Sequence, residues 1–507
     1  MSMDISAVEY TPFEDRLHTC FGDMLVYKSS QNTKFFADQS MPSFIRDWLM
    51  MRFSDAEGRI QNEKIAQYVK KTIPSKEQWS GIMLDMLHGN RDVRFLTKVK
   101  IEFDTKKKQA LFSLPVFGVP AHKGEAVANW DVLEKNRDEL LSASESWGIV
   151  TVRCEPDDDN KNNILKLIDF KPFCPYKIDL DYYIRARDFF NLEEWIDILL
   201  GAADYNAGGY RSQKEKLAML KRLMPFVEKR LNLVELAPKE TGKSYLFSQV
   251  SQYGWLVSGG SVSRANMFYD ISKRTNGLVS HNDYVALDEV QSIKFTEPME
   301  MRGALKGYLE SGEYRVGDYR GTGNAGLILL GNIDADQMDT DTDMFSKLPA
   351  FFHESALLDR FHGFITGWEI PKMRESLKAD GWALNTEYFV EILHALRGEN
   401  IYRSVVDKLL RLPPDAATRD TEAVKRLCTA FLKLLFPNAT DVEKVNLDEF
   451  EEYCLEPALE MRGIIKKQLS IIDPGEFGGA KMPDITINVG GEEKTGVSDG
   501  KREETED

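Results

Sequence analysis

At 507 residues, with 42% hydrophobic and 29% charged side chains, the chain has material for about three domains that each bury a core unaided, which excludes a small stapled scaffold. No apolar run approaches the ~20 residues needed to cross a bilayer, and the acidic opening MSMDISAVEYTPFEDRLHTC lacks the apolar core of a secretory signal, so the chain is expected in the cytoplasm without membrane contact. Lys and Arg number 65 against 81 Asp and Glu, a formal net charge of -16, which argues against coating nucleic acid through bulk charge while leaving room for a basic groove or pore inside an acidic shell.

The five cysteines (Cys20, Cys154, Cys174, Cys428 and Cys454) stand singly with no C-x-x-C pair, so neither a disulfide framework nor a structural zinc site is expected. From 41 to 90, apolar residues recur at three and four, in PSFIRDWLMMRF, EKIAQYVKKTI and EQWSGIMLDMLHG, which predicts helices and a helical N-terminal region over 1–95. The period then becomes two. Val99, Ile101 and Phe103 alternate with Lys98, Lys100 and Glu102, a DTKKK turn (104–108) follows, and ALFSLPVF returns, which is a hairpin pattern. WGIVTVRC and NILKLIDF repeat it, so 96–178 reads as a β-rich domain, barrel or sandwich.

A helical linker (179–228), broken at a flexible YNAGGY, leads to five short apolar runs separated by helical stretches: LNLVELA, YGWLVSGG, YVALDEV, AGLILLGNI and FHGFITGWEI. Unalternating runs of this kind predict a parallel sheet covered on both faces, so 229–371 reads as an α/β core. The pattern is helical again over 372–472. The stretch 473–507, rich in Gly and acids, is expected to be a disordered tail.

Directly after the first run stand Ala237, Pro238, Lys239, Glu240, Thr241, Gly242, Lys243 and Ser244, which fit a phosphate-binding loop if Ala replaces its first Gly. Backbone N–H groups there, with the N-terminus of the following helix, cradle phosphates, while Lys243 reaches the β/γ-phosphates and Ser244 the Mg²⁺. The bland reading is an ordinary Gly-Lys turn. Against it, the strand YVALD ends in Asp288 and Glu289, the carboxylate pair needed to hold Mg²⁺ and to polarise an attacking water. Asn332 ends the next run, where a polar side chain orients water beside the γ-phosphate or merely forms a turn. Arg360, just before the last run, is read as an arginine finger for a neighbouring subunit's nucleotide, against a surface ion pair. Arg419 in TRDTEAVKRL is read as a second sensor of the phosphates, against a solvated helix start.

These residues in this order resemble an AAA+ ATPase, with Walker A (237–244), Walker B (284–289), sensor 1 (Asn332), arginine finger (Arg360) and a helical lid carrying sensor 2 (Arg419). The expected fold class is therefore multidomain α/β: an AAA+ P-loop core and helical lid preceded by a mixed helical and β-rich region. DLDYYIRARDFFNLEEWIDILLGAADYN, SGGSVSRANMFYDISKRTNGLV, YVALDEVQSI and ALLDRFHGFITGWEIPK narrow the match to the Lon-like family of bacterial BREX phage-exclusion systems, over about residues 40–470. The resemblance implies ATP and Mg²⁺ as cofactors and a homo-oligomeric ring, a hexamer, alone or stacked. It also implies double-stranded DNA and other BREX proteins as partners, an N-terminal DNA-associated region, and a core similar to the replicative MCM helicases. Two departures stand out. Glu240 occupies a position where the family usually carries Gly, and the family's C-terminal Lon-like peptidase domain is not recognisable, with Ser470 and Ser498 the serines beyond Pro437, so no peptidase activity is expected.

An ATP-driven motor on DNA is the leading function, with a protein unfoldase serving a separate protease and a nucleotide-gated scaffold as alternatives. A peptide-gripping ring needs an aromatic pore loop and a DNA-gripping ring basic side chains. The expected pore hairpin, GEYRVGDYRGTGN (312–324), offers Arg315 and Arg320, preceded by Tyr314 and Tyr319, and the tip Lys106, Lys107 and Lys108 is a lesser DNA-binding candidate.

Overall fold

The computed structural model describes residues 11–36, 41–55, 57–89, 91–104, 107–119, 126–142, 145–156, 163–479 and 481–488. The N-terminal region is not wholly helical. A helix over Pro12–Phe21, opened by a capping box between Thr11 and Glu14, leads into a short strand, β1 (Leu25–Lys28). The expected helices follow at Ser43–Arg52, Asn62–Thr72 and Trp79–Gly89.

Next come β2 (Val93–Asp104), β3 (Gln109–Ser113), β4 (Ala126–Ala128), β5 (Ser146–Pro156) and β6 (Asn163–Pro172). They close in the order β2-β3-β4-β6-β5, with β4 and β6 parallel and the other pairs antiparallel, which is the strand order of an OB-type barrel. A barrel therefore replaces the open choice between barrel and sandwich. Its inward residues, among them Phe95, Val99, Phe112, Val150, Val152, Leu167 and Phe170, fill the interior. The closing strand β4 is three residues long and escaped the sequence pattern.

The second half begins with β7 (Leu233–Ala237), β8 (Gly254–Ser258) and the two-residue β9 (Ser261–Val262). A small hairpin, β10 (Tyr269–Asp270) and β11 (Thr275–Asn276), precedes β12 (Tyr284–Asp288) and β13 (Lys294–Phe295), the latter paired with β9. A second hairpin, β14 (Glu313–Val316) and β15 (Tyr319–Thr322), precedes β16 (Gly326–Asn332) and β17 (Gly363–Thr366). The five apolar runs become one parallel sheet in the order β17-β7-β16-β12-β8. Alternate residues serve two cores: Leu233, Ala286, Ile328, Leu330 and Ile365 face one, and Val234, Val285, Leu287, Leu329 and Phe364 the other. Each Leu, Ile, Val or Phe among them contributes roughly 1.5–3 kcal/mol through burial, which is why these strands do not alternate apolar with polar residues.

Beyond Pro371 the chain first forms a strand, β18 (Gly381–Leu384), which pairs antiparallel with β1 across more than 350 residues of sequence. The expected helices follow at Thr386–Gly398, Ile401–Leu409, Thr418–Leu435 and Glu456–Ile472. The last two pack on β17, where a Cβ on Gly363 would lie 3.1 Å from Met461 and 3.2 Å from Leu427. Two further segments differ from expectation. YNAGGY is not a loose break: Tyr205 is 2% exposed, and a 3-10 turn covers Ala207–Gly209. Part of the tail is ordered too, since β20 (Thr486–Ile487) pairs with β19 (Leu410–Arg411) and Ile485 is buried. Residues 489–507 lie outside the described residues.

Candidate functional site

β7 ends at Ala237, and the chain must turn within five residues to start the helix at Lys243. It does so with Glu240 at φ 70° and Gly242 at φ 78°, two left-handed residues bracketing Thr241. Left-handed residues in such a tight strand-to-helix turn are what a backbone nest of N–H groups needs to receive phosphate oxygens. The rim is fixed from outside, because the Met373 N–H donates to the Glu240 carbonyl at 2.7 Å. After Tyr245 the helix loosens into a π-turn over Leu246–Val250.

Lys243 Nζ donates to Asn332 Oδ1 at 3.0 Å and to the Gly331, Ala237 and Pro238 carbonyls at 3.2–3.4 Å. Its burial lowers the pKa, an effect opposed by Glu235. Ser244 Oγ donates to Asp288 Oδ2 at 2.5 Å, and the Glu289 N–H donates to Asp288 Oδ1 at 2.9 Å. Asp288 is 4% exposed, whereas Glu289, at φ 48°, turns outward into solvent. Adjacent strand ends thus gather a lysine, a hydroxyl, a buried carboxylate, an exposed carboxylate and an amide. That set can neutralise phosphate, complete a Mg²⁺ shell, and polarise and orient a water.

Sequence reasoning missed what holds this loop from beneath. Glu235 in the middle of β7 and Arg222 from the preceding linker are each 0% exposed. The guanidinium donates to Glu235 Oε1 at 2.6 Å through Nη2 and to the Thr241 carbonyl at 2.6 Å through Nη1. Burial works against the Arg222 charge and Glu235 outweighs it, so its pKa is raised. The signal was available, because a lone acid in the apolar run LVELA demands a buried partner.

Arg360 and Arg419 form a second cluster. Glu310, on the helix Pro298–Ser311, forms an ion pair with Arg360, whose Nε lies 2.8 Å away, and accepts Arg419 Nε at 3.2 Å, while Arg419 Nη1 also donates to Asp359 at 2.8 Å. Behind them the buried Arg462 bridges Asp359 and Asp420 and donates to the carbonyls of Asp359 and Phe361, which fixes the turn that presents Arg360. Arg419 therefore stands beside Arg360, and its polar contacts here are acids of this second cluster.

In the β14–β15 hairpin, Arg315 and Arg320 are directly opposed in register and both exposed. Like charges so placed repel, and Arg315 is turned to the Gly317 carbonyl, to which its Nε donates at 2.9 Å, with Asp318 3.9 Å from its Nη2. Tyr314 and Tyr319 are not free: Tyr314 packs on Phe268 at 5.0 Å between ring centroids, and Tyr319 stacks on Tyr269 at 3.5 Å. A cleft of about 980 Å³ beside the hairpin is lined by Arg264, Glu300, Glu313, Arg315 and Arg320 among others. The β10–β11 hairpin, which the sequence reading missed, lies against it, with Ile271 within 3.1 Å of where a Gly317 side chain would begin, and carries Lys273 and Arg274 on its turn. Lys273 in turn reaches Glu102 of β2 at 3.8 Å, so the basic barrel turn leaves from a strand that touches this side. Lys107 and Lys108 there are exposed, and Lys106 lies outside the described residues.

Residues 165–482 match the family model "Lon-like protease BrxL-like, ATPase domain", and residues 19–154 match "BREX system Lon protease-like protein BrxL N-terminal". The chain is 29% identical over 455 residues to the Lon-like protease BrxL of Escherichia coli O9:H4 (strain HS), covering 89% of this chain and 63% of the relative. It is 34% identical over 350 residues to the Lon-like protease BrxL of Bacillus cereus (strain H3081.97), covering 68% of this chain and 50% of the relative. The chain thus spans between half and two thirds of the length of these curated relatives.

Proposed function

Because the chain belongs to the BrxL family of BREX ATPases, with its ATP-hydrolysing domain over 165–482, we propose that it works as a closed ring, most simply a hexamer, that moves on double-stranded DNA in anti-phage defence. In this reading the nest 237–244 holds ATP, Lys243 meets the β/γ-phosphates, and Ser244 with Asp288 holds Mg²⁺. Glu289 polarises the attacking water and Asn332 orients it. Arg360 and Arg419, side by side on Glu310, reach the nucleotide of the next subunit, so Arg419 senses phosphate across the interface rather than in its own loop. The cytoplasm and other BREX proteins complete the setting, and no helix among the described residues is long and apolar enough to cross a membrane.

The observation that favours DNA over polypeptide is the β14–β15 hairpin: its tyrosines are spent on internal packing, and its two exposed basic side chains are opposed arginines, Arg315 held locally by the Gly317 carbonyl at 2.9 Å. A peptide-gripping loop needs those aromatics free. The test compares the chain with its Arg315→Ala/Arg320→Ala variant on duplexes of unrelated sequence over a range of salt. Binding should weaken on all duplexes alike, with the slope of log K against log salt flattened by about 0.9 for each phosphate no longer neutralised, and ATP hydrolysis without DNA should persist. Unchanged affinity and slope would remove the hairpin from the interface.

A further inference from the structure

Away from the nucleotide loop, the seam between the barrel and the helix Thr386–Gly398 holds one more chemically loaded cluster. Glu387 and Glu391 lie one helical turn apart on that helix, and Cys174 arrives two residues after β6. One ligand atom from each, the thiol sulfur and a carboxylate oxygen apiece, lies within 4.8 Å of the others, and among the described residues this is the one such group of three metal-ligating side chains. The second observation is independent of the clustering. Glu387 is 1% exposed, and both its carboxylate oxygens are buried without a hydrogen-bond partner. A folded chain rarely tolerates such a group, because its desolvation is uncompensated.

Glu391 is prepared differently. Gln252 Nε2 and the Tyr253 hydroxyl both donate to its Oε1, at 2.8 and 2.6 Å, which fixes the carboxylate and leaves its other oxygen for the cluster. That is how ligating carboxylates are oriented by surrounding donors. A cavity of about 340 Å³, lined in part by Cys174, Gln252, Tyr253, Asp283 and His394, opens onto the thiol and gives access from solvent. With no cation the acids suppress one another: burial and then Glu391 push the Glu387 carboxyl up to about 9, and burial and then the two carboxylates push the Cys174 thiol up to about 11.

We propose that Cys174, Glu387 and Glu391 bind a zinc ion that pins the end of the barrel to the helix Thr386–Gly398. One thiolate among carboxylates selects zinc over magnesium or calcium, three protein ligands suit its tetrahedral shell, and the fourth position faces the cavity. Zinc here gives the buried Glu387 carboxylate the partner it lacks and removes the repulsion among three acids. It also joins a segment that leaves the DNA-side barrel to the ATPase half, which accounts for a thiol at a position where the sequence pattern gives no reason for one.

The test uses the whole chain stripped with chelator and then given one equivalent of zinc or cobalt. Zinc should remain at about one ion per chain after gel filtration, and the cobalt form should show thiolate-to-metal charge-transfer absorption. Cys174→Ser should abolish that band, and Glu387→Gln should weaken zinc binding more than about tenfold. Since either variant could fold poorly, the unmodified chain supplies a third readout: alkylation of exposed Cys174, followed by peptide mass, should slow sharply when zinc is present. Loss of zinc from the unmodified chain, a cobalt spectrum without the thiolate band, or equal alkylation with and without zinc would each overturn the site.

Discussion

Glu240 shows how a single residue carries two separate costs in the 237–244 loop. Its φ of 70° is a conformation that glycine adopts freely and that costs an L side chain about 1–2 kcal/mol. Its exposed carboxylate also sits on the rim of the loop proposed to hold phosphate. Both costs point the same way, so Glu240→Gly should raise the unfolding free energy by about 1 kcal/mol and tighten ATP binding up to about fivefold, the worth of one screened like-charge contact. Thermal unfolding and nucleotide titration of the two proteins check this, and weaker ATP binding by the variant would show that Glu240 assists the nucleotide. The residue was visible in the sequence as an acid in an unusual place. Its backbone conformation was not, because one residue's φ follows from how the loop is tied to Met373 and Arg222, and those ties come from distant segments.

At the scale of elements, the strands that carry the site were legible because each is a dense apolar run that has to be covered on both faces, and LNLVELA, YVALDEV and AGLILLGNI stand where β7, β12 and β16 lie. What escaped are elements whose partners are remote: β1 on β18, β19 on β20, and the three-residue β4 that closes the barrel. Strands of two to four residues have no period to read, and their stability resides in the partner. The same logic governs the Arg222–Glu235 pair that ties the linker to β7. Arg222→Met should cost about 3–5 kcal/mol in denaturant unfolding, because it strands a fully buried carboxylate. Arg222→Met with Glu235→Leu should recover most of that loss, since the desolvated charge goes with its partner. ATP affinity should stay reduced in the double variant, because Thr241 has still lost the guanidinium that holds the loop. A double variant as unstable as the single would mean that the guanidinium acts chiefly through Thr241.

Across the whole molecule, the proposed nucleotide site is wired in two directions. Tyr245, next to Ser244, donates to Asp204 at 2.7 Å and shares a hydrogen bond with Ser43, while Lys28 of β1 and Arg46 pair with the same Asp204 and with Asp47. This network, buried at Lys28, Asp47 and Asp204, joins the N-terminal segments to the helix that follows the 237–244 loop. In the other direction Arg360 and Arg419 are held by Glu310, an acid of the same chain, so in a lone subunit the arginines spend their charge internally. In the proposed ring, a neighbour's γ-phosphate, carrying more charge and a bidentate geometry, would draw Arg360 from Glu310, and Arg419 from Glu310 and Asp359. Each site in that proposed ring would be composite, with Glu289 from one subunit and Arg360 from the next. Arg360→Ala and Glu289→Gln chains should each fail to hydrolyse ATP alone, the first for want of the arginine and the second for want of the carboxylate. Mixed in equal amounts and reassembled, about a quarter of the interfaces join an intact Glu289 to an intact Arg360, so hydrolysis should return toward that fraction of the unmodified rate. Co-assembly is followed separately by pulling down one tagged variant and detecting the other. Co-assembled mixtures that remain inactive would place Arg360 outside the neighbour's nucleotide site and leave its pairing with Glu310 as a fixed structural contact.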